Sequence, residues 1–242
     1  MMTRRLSTLA VGAAVLTGSL LTVPTAASAQ GTRPTGQPAA VVRSFGPTLG
    51  LAPAALSPLA DVPIGPDPLA ALASSALDEW YIFATTGLGE HLARFIAIRD
   101  ALAVEASARI EVDPLRLQKA WADADQRHQI VLMAAMTQLG TPYHKRMNKP
   151  GKGFDCSGFT SFAWAATDIM LPAQSRRQIN MVTPLFHEMA QPGDLVYYPG
   201  HIALYLGIDD AILHAPDYGD VVSFSHLRSG RLRTARFGGP LG

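Results

Sequence analysis

The chain has 242 residues, of which 48% are hydrophobic and 16% are charged. This composition is typical of one or two globular domains and excludes a chain that is disordered throughout. The formal net charge of +1 provides no basic field, so we expect no nucleic acid partner. The single cysteine, Cys156, has no partner for an internal disulfide, so it is either a small core residue or a reactive thiol.

Residues 1–29 have the pattern of a secretory signal peptide. Arg4 and Arg5 precede an apolar run over residues 9–21, and the A-S-A sequence at residues 27–29 supplies small residues for cleavage. A membrane anchor is the competing interpretation, but the apolar run is too short, and too rich in Gly, Ser and Thr, to span a bilayer. The sequence therefore predicts secretion, with no membrane anchor after signal cleavage.

Two segments of different composition follow the signal. Residues 30–68 contain eight prolines and no sustained helical or strand period, which predicts a disordered, Pro/Ala-rich linker. Residues 69–125 have helical composition with a break at residues 85–89, and they predict a helical N-terminal segment. Its apolar residues recur on one face, as in an amphipathic helical hairpin, and include Leu92, Phe95, Ile96 and Leu102.

The second half of the chain changes from helical to strand patterns. Asp113 and Pro114 predict the start of one long helix, whose buried stripe passes through Trp121 and Val131 and which ends at Gly140. Short alternating segments bounded by Gly, Pro and Asp then predict four strands, over residues 195–198, 201–206, 211–214 and 221–224. Helices followed by antiparallel strands indicate an α+β fold.

Cys156 is predicted to lie in the first turn of a helix. Asp155 precedes it and can accept a backbone N–H as the N-cap. Apolar residues then recur at helical spacing on one predicted buried face, namely Phe159, Phe162, Ala163, Ala166 and Met170. Unpaired N–H groups and the helix dipole favour a thiolate in the first turn, and the thiolate is the nucleophilic form of cysteine.

Two histidines could serve such a cysteine, which needs a base and a polar group that orients the base. His201 and His214 fall on neighbouring predicted strands. A loop of two or four residues would pair Ala203 with His214 and place both imidazoles on one face, whereas a three-residue loop would turn one away. The histidines of this region (187, 201, 214 and 226) lack zinc-ligand spacing, so we expect no metal and no cofactor.

Six blocks of sequence occur in a fixed order: L-G-T-P-Y (139–143), F-D-C-S-G-F (154–159), L-P-x-x-S-x-x-Q (171–178), P-G-D-L-V-Y-Y (192–198), H-I-A-L-Y-L-G (201–207) and I-L-H-A-P (212–216). This ordered set resembles the NlpC family of cell-wall cysteine endopeptidases. The resemblance implies a papain-like domain over residues 126–242, in which the cysteine opens a helix packed on an antiparallel sheet that supplies the histidines.

The resemblance also implies roles for individual residues. By position in the blocks, Cys156 corresponds to the nucleophile, His201 to the general base and acid, and His214 to the polar residue that orients His201. Tyr143 resembles a tyrosine that lines the cleft near the nucleophile. These roles are what the family pattern implies, and they agree with the chemistry inferred from the residues.

Asp155 and Ser175 match family positions that line the subsite for the N-terminal side of the substrate peptide. The chain departs from the family pattern nearby. Ala173 replaces a frequent arginine and Ala203 a frequent glycine, which puts the shape of the acyl-side subsite in doubt. The connection at residues 199–200 is also short, which predicts a more open cleft on that side.

These features predict a secreted, cell-wall-associated peptidoglycan endopeptidase that cleaves stem peptides at the bond from γ-D-glutamyl to the diamino acid, through a cysteine acyl-enzyme. Two alternatives stay open: a non-catalytic wall-binding or adhesin-like protein, and an amidase or acyltransferase of the same fold. Peptidoglycan stem peptides are the expected partner, and the oligomeric state is left open. Residues 69–125 would either inhibit the enzyme by docking near its cleft or pack away from it as a structural cap.

Overall fold

A computed structural model describes residues 57–241, so the predicted signal peptide and most of the predicted linker lie outside the described residues. The described chain forms one compact unit. Its helices are α1 (Pro68–Thr86), α2 (Gly89–Ile110), α3 (Pro114–Asp123), α4 (Gln126–Met136), α5 (Cys156–Ala165), α6 (Ser175–Met181) and α7 (Ser229–Leu232).

A six-stranded antiparallel sheet follows the helices, and a two-stranded ribbon precedes α5. The ribbon pairs β1 (Asn148–Lys149) with β2 (Gly153–Phe154), and the sheet contains β3 (Thr183–Leu185), β4 (Leu195–Tyr198), β5 (His201–Tyr205), β6 (Ala211–His214), β7 (Ser223–His226) and β8 (Arg236–Gly239). The strand order is β3-β8-β4-β5-β6-β7. The predicted α+β fold is confirmed, although the strand predicted at residues 221–224 begins two residues later and β3 and β8 were not predicted.

The helical hairpin of α1 and α2 has clear local causes. The side chain of Asp67 accepts the N–H of Leu69, and Pro68 occupies the first helical position, where a missing N–H costs nothing. Gly87 ends α1 at a φ of 71°, in the left-handed region that glycine tolerates best. Arg109 of α2 donates two hydrogen bonds to the Asp67 carboxylate, at 2.6 and 2.9 Å, which ties the two helices together.

The single long helix predicted from Pro114 is wrong, because the structure has two helices there. Ala124 is extended, with a ψ of 147°, and Asp125 begins a new helix by accepting the N–H of His128. The capping carboxylate offers the backbone an alternative to helix continuation. The apolar stripe continues across the break, which is why periodicity alone does not detect it.

The disordered-linker prediction does not hold for residues 57–67. These residues pack against the end of α4, where Gly65 donates to the carbonyl of Thr137 at 2.7 Å and the side chain of Gln138 donates to the carbonyl of Pro63 at 3.0 Å. A Cβ atom at Gly65 would collide with the carbonyl oxygen of Leu139. The low-complexity composition thus includes a segment that the fold fixes in place.

One apolar core joins the helical segment to the sheet. Trp121 of α3 is fully buried and donates its indole N–H to the carbonyl of Leu206 at 2.9 Å. Trp164 of α5 donates to the carbonyl of Gly193 at 3.1 Å. Met170, which was predicted to lie on the buried face of α5, is 76% exposed, because α5 already ends at Ala165.

The opposite face of the sheet has its own smaller apolar cluster. It consists of Val196, Tyr198, Ala203, Tyr205, Ile212, Leu227 and Phe237. The chain after β7 covers this face before it returns as β8 beside β4. None of the helices within residues 57–241 combines the length and apolar composition needed to span a bilayer.

A buried histidine links α4 to the start of β4. Nδ1 of His128 lies 2.5 Å from the Asp125 carboxylate, and Nε2 lies 2.9 Å from the Asp194 carboxylate. Burial opposes the charged imidazole, but the hydrogen bonds and charges of Asp194 and Asp125 leave the pKa of His128 above its ordinary value. The folded state therefore holds this proton more tightly than the unfolded chain does.

The raised pKa of His128 predicts a pH dependence of stability. The stabilisation is complete below the ordinary histidine pKa and is lost as pH rises through the folded value. We expect thermal unfolding between pH 6 and 8.5 to show a larger fall in Tm for the wild type than for His128→Gln. Equal slopes in both proteins would contradict this assignment. His226→Gln should also reduce the fall in Tm, because the pKa of His226 is raised as well, by its hydrogen bonds to the Ile110 carbonyl and to Asp210.

Candidate active site

The N-terminus of α5 holds Cys156 in a fixed position. Asp155 is extended, at φ −90° and ψ 175°, and its carboxylate accepts the N–H of Gly158 at 2.7 Å and the hydroxyl of Ser157 at 3.0 Å. The other carboxylate oxygen accepts the N–H of Arg146 at 2.8 Å. Asp155 therefore caps the helix, as predicted, and also fastens the preceding loop to it.

The glycine of the C-S-G sequence, Gly158, allows a close contact between two parts of the backbone. A Cβ atom at this position would collide with the carbonyl oxygen of Met147. The first turn of α5 can therefore approach the loop before β1 only if residue 158 is glycine. This close approach places the thiol of Cys156 at the edge of the sheet, where it is partly exposed.

Burial raises the pKa of the Cys156 thiol above its ordinary value. Hydrogen bonds from the N–H groups of Ile202, Ser157 and Cys156 itself act in the opposite direction, and the charge of Asp155 adds to the rise. The expectation of a thiolate from helix position alone is therefore not met. The backbone donors favour the anion, but burial outweighs them, so forming the thiolate requires a proton acceptor.

The strands β5 and β6 bring the two histidines together. Leu204 pairs with Leu213 and Tyr205 with Ile212, a register that places Ala203 opposite His214 and fixes the connecting loop at four residues, 207–210. Nε2 of His201 lies 2.9 Å from Nδ1 of His214. Of the loop lengths that the sequence left open, the structure has the four-residue loop, so both imidazoles share one face.

Both imidazoles are neutral at neutral pH. Burial, with the charges of His214 and Arg231, lowers the pKa of His201 to about 3. Burial, with the charge of Arg231, lowers the pKa of His214 to about 4. If His201 donates from Nε2 to His214, its Nδ1 keeps a free lone pair, which is the form a general base needs.

A cleft of about 530 Å³ contains Cys156, His201, His214 and Tyr143. The N–H of Ile202 in β5 reaches the thiol of Cys156. His201 precedes Ile202 in this strand, so His201 lies beside the nucleophile. No residue from 69 to 125 is among those that line this cleft, although the carbonyl of Ile110 bonds to His226, which does line it. Within residues 57–241, no group of three or more His, Cys, Asp or Glu side chains is placed to hold a metal ion.

The other two predicted substrate residues lie outside this cleft. Asp155 lines a neighbouring cavity of about 490 Å³, together with Ala173 and Arg177. Ser175 begins α6, is half-buried, and lines neither cavity. Ala173, the departure from the family pattern, thus borders a cavity beside the nucleophile's helix, where a small side chain leaves space.

Several cleft residues were not predicted from the sequence, among them Tyr198, Arg228 and Arg231. Tyr198 pairs with His201 across β4 and β5, and the two rings stack with centroids 5.0 Å apart. Arg228 and Arg231 follow β7 and also line the cleft. Tyr198 ends one predicted strand and His201 begins the next, so the sequence could have indicated that these two residues are neighbours. No periodic pattern marks the arginines, which reach the site only because the chain crosses the sheet after β7.

Comparisons with known proteins relate part of this chain to one family. Residues 140–238 match the model of the NlpC/P60 family. A probable endopeptidase of Corynebacterium glutamicum (strain R) is 33% identical over 124 residues, which cover 50% of this chain and 52% of that protein. A gamma-DL-glutamyl hydrolase of Bacillus subtilis (strain 168) is 27% identical over 125 residues, which cover 48% of this chain and 30% of that protein. The chain thus spans about half the length of these relatives, or less.

A solved structure also matches this part of the chain. RipD from Mycobacterium tuberculosis, described as a non-catalytic NlpC/p60 domain protein adapted to peptidoglycan binding, is 25% identical. The match covers 48% of this chain and 98% of that chain, with a TM-score of 0.39. The family model and the ordered sequence blocks confirm the resemblance noted above, and residues 140–238 of this chain form a domain of the NlpC/P60 family.

Proposed function

We propose that this protein is a secreted, cell-wall-associated cysteine endopeptidase that hydrolyses peptidoglycan stem peptides at the bond between γ-D-glutamyl and the diamino acid. The observation that supports this proposal best is one cleft that contains Cys156, in the first turn of α5, and the hydrogen-bonded pair of His201 and His214. This arrangement matches a nucleophile, a base and a residue that orients the base. No cofactor is needed for this chemistry.

In the proposed first step, Nδ1 of His201 takes the proton from the Cys156 thiol. The sulfur then attacks the γ-carbonyl carbon, and a carbon–sulfur bond forms as the carbonyl oxygen becomes an oxyanion. The backbone N–H of Cys156 donates to this oxyanion, which lowers the barrier because the donor is already oriented. The hydrogen bond to His214 holds the resulting imidazolium in place.

In the second step, the carbon–nitrogen bond breaks and His201 returns its proton to the departing amine. The γ-glutamyl group remains on Cys156 as a thioester. Water then attacks the thioester while His201 accepts its proton, and the proton passes to the sulfur as the carboxylic acid leaves. The thiol and the neutral imidazole are both restored.

The names of relatives support the choice of substrate. The matching proteins include a gamma-DL-glutamyl hydrolase and a probable endopeptidase. Tyr143, Asp155 and Ser175 remain our candidates for binding the substrate, with Asp155 and Ser175 on the acyl side. The signal-like residues 1–29 support secretion, since a peptidoglycan substrate lies outside the cytoplasm.

Two other functions would use the same fold. A non-catalytic peptidoglycan-binding protein would leave muropeptides intact, and an amidase or acyltransferase would produce different fragments. Mass analysis of muropeptides after incubation with the purified protein separates these cases, because the mass left on each stem fragment identifies the bond that was cut. Intact muropeptides would overturn the proposed function.

The first prediction concerns the thiol. We expect Cys156→Ala to reduce hydrolysis of purified cell wall below detection, because no other group in the cleft supplies the nucleophile. Iodoacetamide should inactivate the wild type, in which Cys156 is the single cysteine, whereas EDTA should leave the rate unchanged. Normal hydrolysis by the alanine variant would exclude the mechanism.

A second prediction separates the roles of the two histidines. His201→Gln should lose roughly 10²-fold or more in kcat, because an amide cannot transfer a proton. His214→Gln should retain more activity than His214→Ala, since the amide oxygen can still accept the hydrogen bond from His201. Equal losses in the two His214 variants would show that accepting this bond is not the role of His214.

The lowered histidine pKa values predict an unusual pH profile. The profile of kcat/KM reports the protonation of the free enzyme, and the pKa values of His201 and His214 are lowered to about 3 and about 4. Activity on a soluble stem peptide should therefore persist as pH falls through 6.5 and decline only below about pH 5. An acidic limb centred near pH 6.5 would contradict the buried, neutral pair.

A further inference from the structure

Arg231 is held against the catalytic pair by an aromatic ring. Its guanidinium carbon lies 4.7 Å from the ring centroid of Tyr198, and Nη1 donates to the Tyr198 hydroxyl at 3.1 Å. A cation over the face of tyrosine is attracted by the ring quadrupole. The ring and the hydroxyl together fix where the guanidinium lies.

Tyr198 in turn contacts His201. The two residues are directly paired across β4 and β5, and their rings stack 5.0 Å apart with an interplanar angle of 24°. Two contacts therefore connect the guanidinium of Arg231 to the proposed general acid and base. Tyr198 is itself buried, so the packing of the sheet supports this arrangement.

The hydrogen-bonding capacity of Arg231 is largely unused. A guanidinium has five N–H donors, and in residues 57–241 the one hydrogen bond found for the guanidinium of Arg231 is the bond to Tyr198. Arg228 lines the same cleft. Neither arginine forms an ion pair with a carboxylate among residues 57–241, and the guanidinium geometry suits recognition of a carboxylate.

The two ends of the cleft differ in charge. Burial raises the pKa of Tyr143, and the negative charges of Asp155 and Asp217 contribute to that rise. Burial also raises the pKa of Tyr198, but there the positive charges of Arg231 and Arg228 oppose the rise. The cleft is therefore acidic beside Tyr143 and basic beside Tyr198.

The proposed reaction decides which part of the substrate meets the basic end. The general acid must reach the departing amine to protonate it, so the amino acid that contributes this amine lies on the His201 side of Cys156. Tyr198 and Arg231 adjoin His201 on that side. The leaving amino acid is therefore the part of the substrate within reach of the guanidinium.

We propose that Arg231, held by Tyr198 and flanked by Arg228, binds a free carboxylate of the leaving peptide and so selects stem peptides that carry this carboxylate. This inference rests on the proposed endopeptidase function. The carboxylate has two possible sources, the end of the diamino acid side chain and the C-terminus of the leaving peptide.

The charge of Arg231 also couples this subsite to the catalytic pair. After burial and the charge of His214, it is a further cause of the lowered pKa of His201. A bound carboxylate would offset that charge and favour the imidazolium that protonates the leaving amine. Substrate recognition and proton transfer would then depend on the same side chain.

The test compares synthetic tetrapeptides of sequence L-Ala-γ-D-Glu-X-D-Ala. X is meso-diaminopimelate, the same residue with its side-chain carboxyl amidated, or L-lysine, and each peptide is made with a C-terminal acid or amide. We expect the wild type to cleave the peptide that carries the bound carboxylate roughly tenfold or more faster in kcat/KM than the matching peptide in which that carboxylate is amidated or absent. The amide arms then identify the source, because only blocking the bound carboxylate removes the preference.

Substitutions test whether Arg231 is the residue that causes the preference for a free carboxylate. Arg231→Gln should reduce the ratio of kcat/KM values to near one and move the acidic limb of the pH profile upward, since one cause of the low His201 pKa is removed. Arg233→Gln, a change on the same segment outside the cleft, should keep the wild-type ratio and profile. Tyr198→Phe, which keeps the ring and loses the hydrogen bond, should reduce the ratio partially.

The possible failures are distinct. Equal cleavage of all the peptides by the wild type, or an unchanged ratio in Arg231→Gln, would overturn the subsite while leaving the endopeptidase function intact. Cleavage of none of the peptides would overturn the proposed function, and the subsite with it.

Discussion

The antiparallel pairing of β5 with β6 is the constraint on which the rest of the site depends. The register of Leu204 with Leu213 places His201 and His214 on one face, and a shift of one residue would send one imidazole to the opposite face. The other half of the site comes from α5, where the Asp155 cap fixes the first turn and Gly158 allows close contact with Met147. The nucleophile and its base thus come from two elements that only the packing of helix on sheet brings together.

Burial sets the chemistry of this site more than the helix terminus does. It raises the pKa of Cys156 and lowers the pKa of His201, so both groups are neutral before the reaction. A neutral pair avoids the cost of two buried charges until the substrate arrives. The proton transfer then occurs between groups whose positions are already fixed by backbone and ring contacts, which reduces the reorganisation needed in the transition state.

The helical layer and the sheet form one folding unit. Trp121 donates to Leu206, His226 bonds to the carbonyl of Ile110, and Arg116 pairs with Asp209 at 2.9 Å. These contacts place residues 69–125 against the sheet, and one of them reaches His226, which lines the cleft. The segment shares one apolar core with the sheet.

The local sequence determined several elements of the fold and of the candidate active site. The Asp155 cap and the alternating pattern of β4 to β6 follow from capping chemistry and spacing, because these depend on neighbours along the chain. The face shared by His201 and His214 depends on the four-residue loop, which was one of the alternatives that the sequence left open. The tertiary structure alone decided the rest. The break at Asp125 is hidden by a continuous apolar stripe, the order of residues 57–67 comes from contacts with α4, and Arg231 reaches Tyr198 only after the chain crosses the sheet. The balance that leaves Cys156 as a thiol also depends on burial, which no local pattern specifies.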